Sequence, residues 1–156
     1  MDKKLKMKIR PAKQEDINVL LKFEQELIKF ERPFDPTLKK GVISYYDISK
    51  RIEDENSYVL LVESDNEIVG SGFADIVKSK PFLKHDYFIS LGFFYVKENY
   101  RSKGVNKLIL NGLIKWSKNR GLSEVRLSVY DKNINAKSAY LNYGFEPNLL
   151  EMKLKI

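Results

Sequence analysis

The spacing of apolar and polar residues changes period several times along the chain. LKMKI, Leu5 to Ile9, alternates and predicts a short first strand. QEDINVLLKFEQELIKF then reads as a helix, with Ile17, Leu20, Leu21, Leu27 and Ile28 on one face. Gln14, Glu15 and Asp16 suit its positive N-terminus, and Pro33 and Pro36 end it. A weaker helix fits Tyr45 to Glu55. SYVLLVES and EIVGSGFADIV predict two strands joined by the turn Asp65-Asn66-Glu67, with Gly70 and Gly72 marking a bulge. YFISLGFFYV, Tyr87 to Val96, is almost continuously apolar, as a central strand covered on both faces should be. The next helix groups Val105, Leu108, Ile109, Leu113 and Trp116 and closes at Gly121. EVRLSVY alternates as a strand, with Val125, Leu127 and Val129 on one side, and NAKSAYLNY forms a short helix closed by Gly144. LLEMKLKI predicts a last strand with Leu150, Met152, Leu154 and Ile156 inward. The order β-α-α-β-β-β-α-β-α-β predicts an α/β fold of the α+β mixed-sheet kind, one domain over residues 1–156.

Composition narrows the chemistry. The chain has no cysteine, which excludes disulfides, thiolate metal sites and a cysteine nucleophile. Its single histidine, His85, lies in the lysine-rich loop KSKPFLKHDYF and is expected to be an ordinary loop residue. One histidine cannot build a His-based metal cluster, and no metal is expected. The net charge is +7, but the lysines are scattered, as on a solvated surface. No basic recognition helix or aromatic RNA-binding signature accompanies them, so no nucleic-acid partner is expected. No apolar run approaches the roughly 18 residues of a membrane span, and the start MDKKLKMKIR lacks an apolar leader segment. No membrane partner is expected, and the expected location is cytoplasmic.

The turn after the central strand stands out. YVKENYRSKGVN places Arg101 and Lys103 beside Gly104 at the mouth of a helix. A helix N-terminus presents unpaired N–H groups and about half a positive charge. Two cations and a glycine that admits close approach suit a phosphate or pyrophosphate. The glycine spacing is neither that of a P-loop nor that of a dinucleotide fingerprint. Downstream, DKNINAKSAYLNYGF sets Asn133, Ala136 and Tyr140 ahead of Gly144-Phe145.

With both segments in this order, the chain resembles the GCN5-related N-acetyltransferases. That family carries Arg/Gln-x-x-Gly-x-Gly/Ala after its fourth strand, and here the turn reads Arg101-Ser102-Lys103-Gly104-Val105-Asn106. It also carries an Asn, an Ala three later, a Tyr seven later and Gly-Phe close behind, matched by Asn133, Ala136, Tyr140, Gly144 and Phe145. The order of elements agrees across nearly the whole chain. The resemblance implies a V-shaped cleft between the fourth and fifth strands that takes acetyl-coenzyme A as co-substrate. It places the pyrophosphate on the amides of Arg101 to Asn106 and the pantetheine arm along Tyr95 and Val96. The resemblance assigns Asn133 and Tyr140 to the same coenzyme site. Asn106 departs from the family's glycine or alanine, so its side chain either crowds the phosphates or donates to them.

The implied reaction is acetyl transfer to a primary amine of a small molecule or protein, by direct attack in a ternary complex. An alkylamine of pKa near 10.4 is neutral in only about one molecule per few thousand at pH 7, so a base or water relay is needed. Family analogy makes Tyr140 the acid that protonates the departing thiolate. The family's central-strand glutamate is missing from ISLGFFYV; Asp86 precedes the strand and Glu98 follows it, and the base stays unassigned. In FERPFDPTLKKGVISYY, Glu31 and Asp35 can attract a cationic amine, while Phe30, Phe34, Tyr45 and Tyr46 can line its pocket. A catalytically degenerate coenzyme-binding sensor is the alternative. A homodimer is compatible with the apolar alternation of the last strand.

Overall fold

The computed structural model describes residues 6–156. Five strands form one sheet in the order β1-β2-β3-β4-β5: β1 (Met7–Pro11), β2 (Ser57–Ser64), β3 (Glu67–Lys78), β4 (Tyr87–Val96) and β5 (Val125–Leu127). β1 to β4 run antiparallel, and β5 joins β4 in parallel. The helices are α1 (Ile17–Glu31), α2 (Ile48–Glu53), α3 (Val105–Asn119) and α4 (Ile134–Tyr143). The mixed α/β architecture expected from the sequence is therefore present.

β2 shows why the sheet is covered twice. Leu60 and Val62 point to α3, where they meet Val105, Ile109, Leu110 and Leu113. Val59 and Leu61 point the other way, to Leu20 and Phe23 of α1 and Ile48 of α2. The buried face of α1 is Leu20, Phe23, Glu24 and Ile28, whereas Leu21, expected inside, is exposed. The glycines of β3 let α3 lie close. A Cβ on Gly70 would sit 2.8 Å from Val105 Cγ1, and one on Gly72 would sit 2.5 Å from Ile109 Cγ2.

The predicted bulge is present beside Gly70, where Val62 pairs with Gly70 but Glu63 with Ile68, and a second irregularity puts an extra residue in β4. Ser71 pairs with Tyr95 while Phe73 pairs with Gly92, so two steps on β3 face three on β4. Phe93 absorbs the mismatch with φ +56°, and Ser71 Oγ donates to its carbonyl at 3.2 Å. Left-handed backbone is uncommon for a bulky residue, and such strain costs on the order of 1–3 kcal/mol.

Several boundaries move. The first strand runs from Met7 to Pro11, and Leu5 lies outside the described residues. Gln14–Asp16 is a 3-10 turn tied down by Arg10, whose guanidinium reaches Asp16 at 2.8 and 2.9 Å and Glu63 at 2.6 Å. The second helix starts at Ile48, not Tyr45: Asp47 caps it, and the Tyr45 and Tyr46 amides are held elsewhere. β5 stops at Leu127 instead of Tyr130. The last strand is absent. Leu150, Met152, Leu154 and Ile156 are 70, 84, 86 and 111% exposed, and residues 146–156 join no sheet. Alternation says which side chains share a face, not whether a strand forms, and this segment pairs with none of the described strands.

Candidate active site

The cleft follows from the shortness of β5. Pairing with β4 covers only Ile89–Leu91 against Val125–Leu127. Beyond Leu91 the outer edge of β4 has no strand neighbour among the described residues, so Gly92 to Val96 border an opening. The predicted V between the fourth and fifth strands is present.

At one end of that opening lies the turn before α3. Ser102 has φ +59° and Gly104 φ +82°, and Gly104 is the N-cap of α3. The first α3 amide with a backbone partner is that of Leu108, on the Gly104 carbonyl at 3.1 Å. The N–H groups before it are left to an external acceptor, as at any helix start. A Cβ built on Gly104 meets nothing within 4 Å, so the space over the turn is open. Arg101, Ser102 and Lys103 are exposed there. Arg101 Nε donates to the Val96 carbonyl at 3.1 Å, which ties the turn to the strand end, and the Lys103 ammonium stands 5.7 Å from the Tyr100 ring centre. Tyr100 Oη and Lys97 both hold Glu67 of the β2–β3 hairpin. Asn106, half-buried in the first turn of α3, has no side-chain hydrogen-bond partner among the described residues. The residues present fit a diphosphate: free amides, two cations and a surface that a Cβ would fill.

The second motif is a helix with both ends capped. Asn133 Oδ1 accepts the Ala136 N–H at 3.3 Å. Gly144, at φ +118°, and Phe145 both donate to the Tyr140 carbonyl, at 3.2 and 3.0 Å. This fixes the Tyr140 ring against Phe94 of β4 at 5.6 Å and Phe145 at 5.8 Å. Burial pushes its phenol well above the usual range, with a further push from the Glu31 charge, so the proton is held throughout the neutral range. The Tyr140 hydroxyl has no hydrogen-bond partner in the described chain.

The far end of the opening is built by α1 and the segment before α2. Phe23 of α1 lies 4.4 Å from Tyr95. Glu24, buried, accepts the amides of Tyr45 at 3.1 Å and Tyr46 at 2.9 Å, and so holds that segment in place. Tyr46 packs on Phe93 at 5.3 Å, and burial takes its phenol up to about 12. Tyr45 Oη is shut off from solvent without a hydrogen bond among the described residues. Phe34 packs on Tyr130 at 6.1 Å, and Phe30, more exposed, on Phe34 at 5.5 Å. Glu31 is half-buried, and burial raises its carboxyl. Asp35 is engaged with Thr37 and with Lys153 at 2.9 Å, which hold its carboxyl well below the usual range. An open cavity of about 520 Å³ lies beside this segment, lined by Ile17, Leu21 and Ser44 to Ser49, and no residue of β4 or β5 reaches it.

Glu24 and Tyr130 are site residues that pattern reading missed. Glu24 looks like the polar face of a helix, and Tyr130 looks like the end of a strand. His85 departs from the loop role expected of it. Its Nδ1 lies 2.6 Å from Ser79 Oγ and its Nε2 meets Glu124, so it pins the β3–β4 loop to the start of β5. Ser79 is only 8% exposed, which withholds its hydroxyl from any substrate. Among the described residues no group of three or more His, Asp or Glu is placed to hold a metal ion, and no helix is long and apolar enough to cross a membrane.

Comparison with known proteins agrees with this geometry. The sequence pattern of the acetyltransferase (GNAT) family matches residues 22–145. An L-ornithine N5-acetyltransferase of Arabidopsis thaliana is 30% identical over 97 residues, covering 60% of this chain and 41% of that protein. This chain therefore matches less than half the length of that relative. In structure, a tetramutant of the BH1408 protein from Bacillus halodurans superposes with a TM-score of 0.86 at 20% identity, covering 96% of this chain and 99% of that one. A predicted acetyltransferase with acetyl-CoA from Clostridium acetobutylicum gives a TM-score of 0.71 at 18% identity, covering 96% of each chain.

Proposed function

The chain belongs to the acetyltransferase (GNAT) family, and from that premise we propose that it is an acetyl-CoA-dependent N-acetyltransferase acting on a small primary amine. One observation carries the reading: the turn at Ser102 and Gly104, shaped for an anion, stands at one end of the open β4 edge, and Tyr140 faces the same edge across Phe94. Bound acetyl-coenzyme A would supply an acyl carbon activated by a thiolate leaving group. The amides after Arg101 would hold its diphosphate, with Arg101 and Lys103 adding charge, and the edge from Gly92 to Val96 would orient the pantetheine arm. Tyr140 holds a proton where the sulfur departs. The burial that raises the phenol raises a thiol in the same place, so the gap between them stays modest. Phe30, Phe34, Tyr45, Tyr46 and Glu31 form the acceptor end. Asp35 contributes by fixing the segment through Thr37 and Lys153. The ornithine-acetylating relative supports a small alkylamine as the acceptor class.

The test is release of free thiol from acetyl-coenzyme A on addition of L-ornithine, 1,4-diaminobutane or a lysine peptide. Turnover with the small amines, lost in an Arg101→Ala/Lys103→Ala variant at moderate coenzyme concentration, is the expected result. Coenzyme binding without thiol release across the panel would replace the enzyme with a coenzyme-binding sensor.

A further inference from the structure

Among the described residues, Glu31 is the half-buried carboxylate at the acceptor end that has no partner. Glu24 holds the Tyr45 and Tyr46 amides, Asp35 holds Thr37 and Lys153, and Asp131 pairs with Lys137 at 2.7 Å. Glu26 and Glu98 are exposed. Glu31, at the last turn of α1, is half-buried, and its carboxylate has no hydrogen bond or ion pair among the described residues. Its oxygens are not sealed either, since they are absent from the buried, unpartnered polar atoms.

Its placement follows from helix geometry. Phe23, Leu27 and Glu31 repeat every four residues, so they form one row along α1. Phe23 lies on Tyr95 and Leu27 on the same cluster, so the row runs over the β4 edge. Three positions on, Phe34 touches Tyr130 beyond β5. Glu31 therefore roofs the cleft where its two walls diverge. Its charge reaches four phenols from three segments: Tyr45 and Tyr46 before α2, Tyr130 after β5, and Tyr140 on α4. Facing cations are few. Arg32 turns away to the Lys39 and Gly41 carbonyls, and Lys153 is held by Asp35.

We propose that Glu31 is the proton acceptor of the reaction, receiving the ammonium of a primary alkylamine inside the ring of Tyr45, Tyr46 and Tyr130. This rests on the N-acetyltransferase reading and supplies the base that the central strand lacks. An unpaired carboxylate among phenols is short of a cation, and an ammonium satisfies both through an ion pair and the ring faces. One ammonium proton passes to a Glu31 oxygen. The freed nitrogen pair forms the N–C bond as the C–S bond breaks, and Tyr140 gives its proton to sulfur. The second nitrogen proton returns to the Tyr140 oxygen, and Glu31 releases its proton to water. Burial holds the Glu31 carboxyl above its ordinary range, which brings it closer to the amine it must deprotonate. The four phenols are all raised, so they stay neutral while Glu31 titrates.

The test uses Glu31→Gln with L-ornithine and 1,4-diaminobutane. At pH 7.5 and saturating amine, kcat should fall about 10²–10³-fold, in the range of a lost general base. The deficit should narrow by about tenfold per pH unit toward pH 10, as solution supplies neutral amine. A fall that stays constant with pH, or a rise in KM with kcat intact, overturns the base assignment. A second readout needs no turnover. Calorimetry on the coenzyme-free protein should show 1,4-diaminobutane binding that weakens as pH falls through the Glu31 carboxyl and is lost in Glu31→Gln. Binding that ignores both pH and the substitution, or no binding to the wild type, overturns Glu31 as the amine's partner. Amine binding of the expected kind without thiol release would leave Glu31 the ammonium site, overturn its catalytic role and refute the transferase reading.

Discussion

Gly104 is the sharpest place to separate an anion cradle from an ordinary helix start. Its φ of +82° disfavours any side chain, while a Cβ there meets nothing within 4 Å. Gly104→Ala therefore adds backbone strain without a clash, about 1–2 kcal/mol. For a chain of this size that lowers the apo Tm by about 2–8 °C. The methyl also occupies the space over the amides that the diphosphate would need. Losing one charge-assisted hydrogen bond costs about 1.5–3 kcal/mol, a roughly 10- to 150-fold rise in Kd. At about 100 times the wild-type Kd, coenzyme A stabilises the wild type by about 2.7 kcal/mol, near 5–11 °C. With a Kd about 100-fold higher, the same concentration stabilises the variant by only about 0.4 kcal/mol, a shift of 1–2 °C. Gly121 provides the control. It has φ +76°, also meets nothing within 4 Å, and closes the other end of α3. Gly121→Ala should show the same apo loss and the full coenzyme shift. A thermal-shift series on the three proteins decides the matter: a full coenzyme shift in Gly104→Ala would refute the turn as the diphosphate site.

Two further outcomes follow from the geometry. Tyr140→Phe should lower kcat by about 10²-fold and leave the coenzyme-induced thermal shift intact, since the lost hydroxyl has no partner in the described chain; unchanged kcat would remove Tyr140 from the chemistry. Arg10 holds the Asp16 and Glu63 carboxyls below their ordinary values, chiefly through its hydrogen bonds to them, so the unfolded chain binds more protons than the folded one as pH falls. The stability this supplies is complete above the unfolded values near pH 4 and is lost as pH drops through the lower folded ones. Urea titrations at pH 7 and pH 3 should therefore show a smaller pH dependence in Arg10→Met, and parallel losses in both proteins would contradict the linkage.

The parts of this molecule legible in the sequence are those fixed by local backbone chemistry. β2 and β4 end where their patterns end, because polar turns bound the apolar runs. The Asn133-to-Phe145 motif spells out its own caps: an oxygen for the Ala136 amide, a left-handed glycine, and a carbonyl that takes the next two N–H groups. The Gly104 turn is similar, since its glycine is demanded by φ rather than by any neighbour. What stayed hidden depends on segments meeting. Glu31 is raised by a burial that its place at the end of a helix does not announce, and Glu24 is tied to amides about twenty residues away. The tail from Leu149 shows the reverse failure, where a good strand pattern stays exposed and pairs with none of the described strands.

The bulge in β4 links these two kinds of information. In a strictly alternating strand, Ile89, Leu91, Phe93 and Tyr95 would share one face. Instead Ile89 and Leu91 pack with α3, Phe93 and Tyr95 with α1, and Phe94 and Val96 with α3 again. The extra residue at Phe93 reverses the parity of the strand half-way along. A run as uniformly apolar as ISLGFFYV gives no sign of this, because every register of it looks buried. Yet the reversal turns Phe94 toward Tyr140 and Tyr95 toward Phe23 beneath the row that ends in Glu31. The proposed acid and the proposed base thus stand on opposite faces of the same β4 edge, and a regular strand would have exchanged the rings that support them.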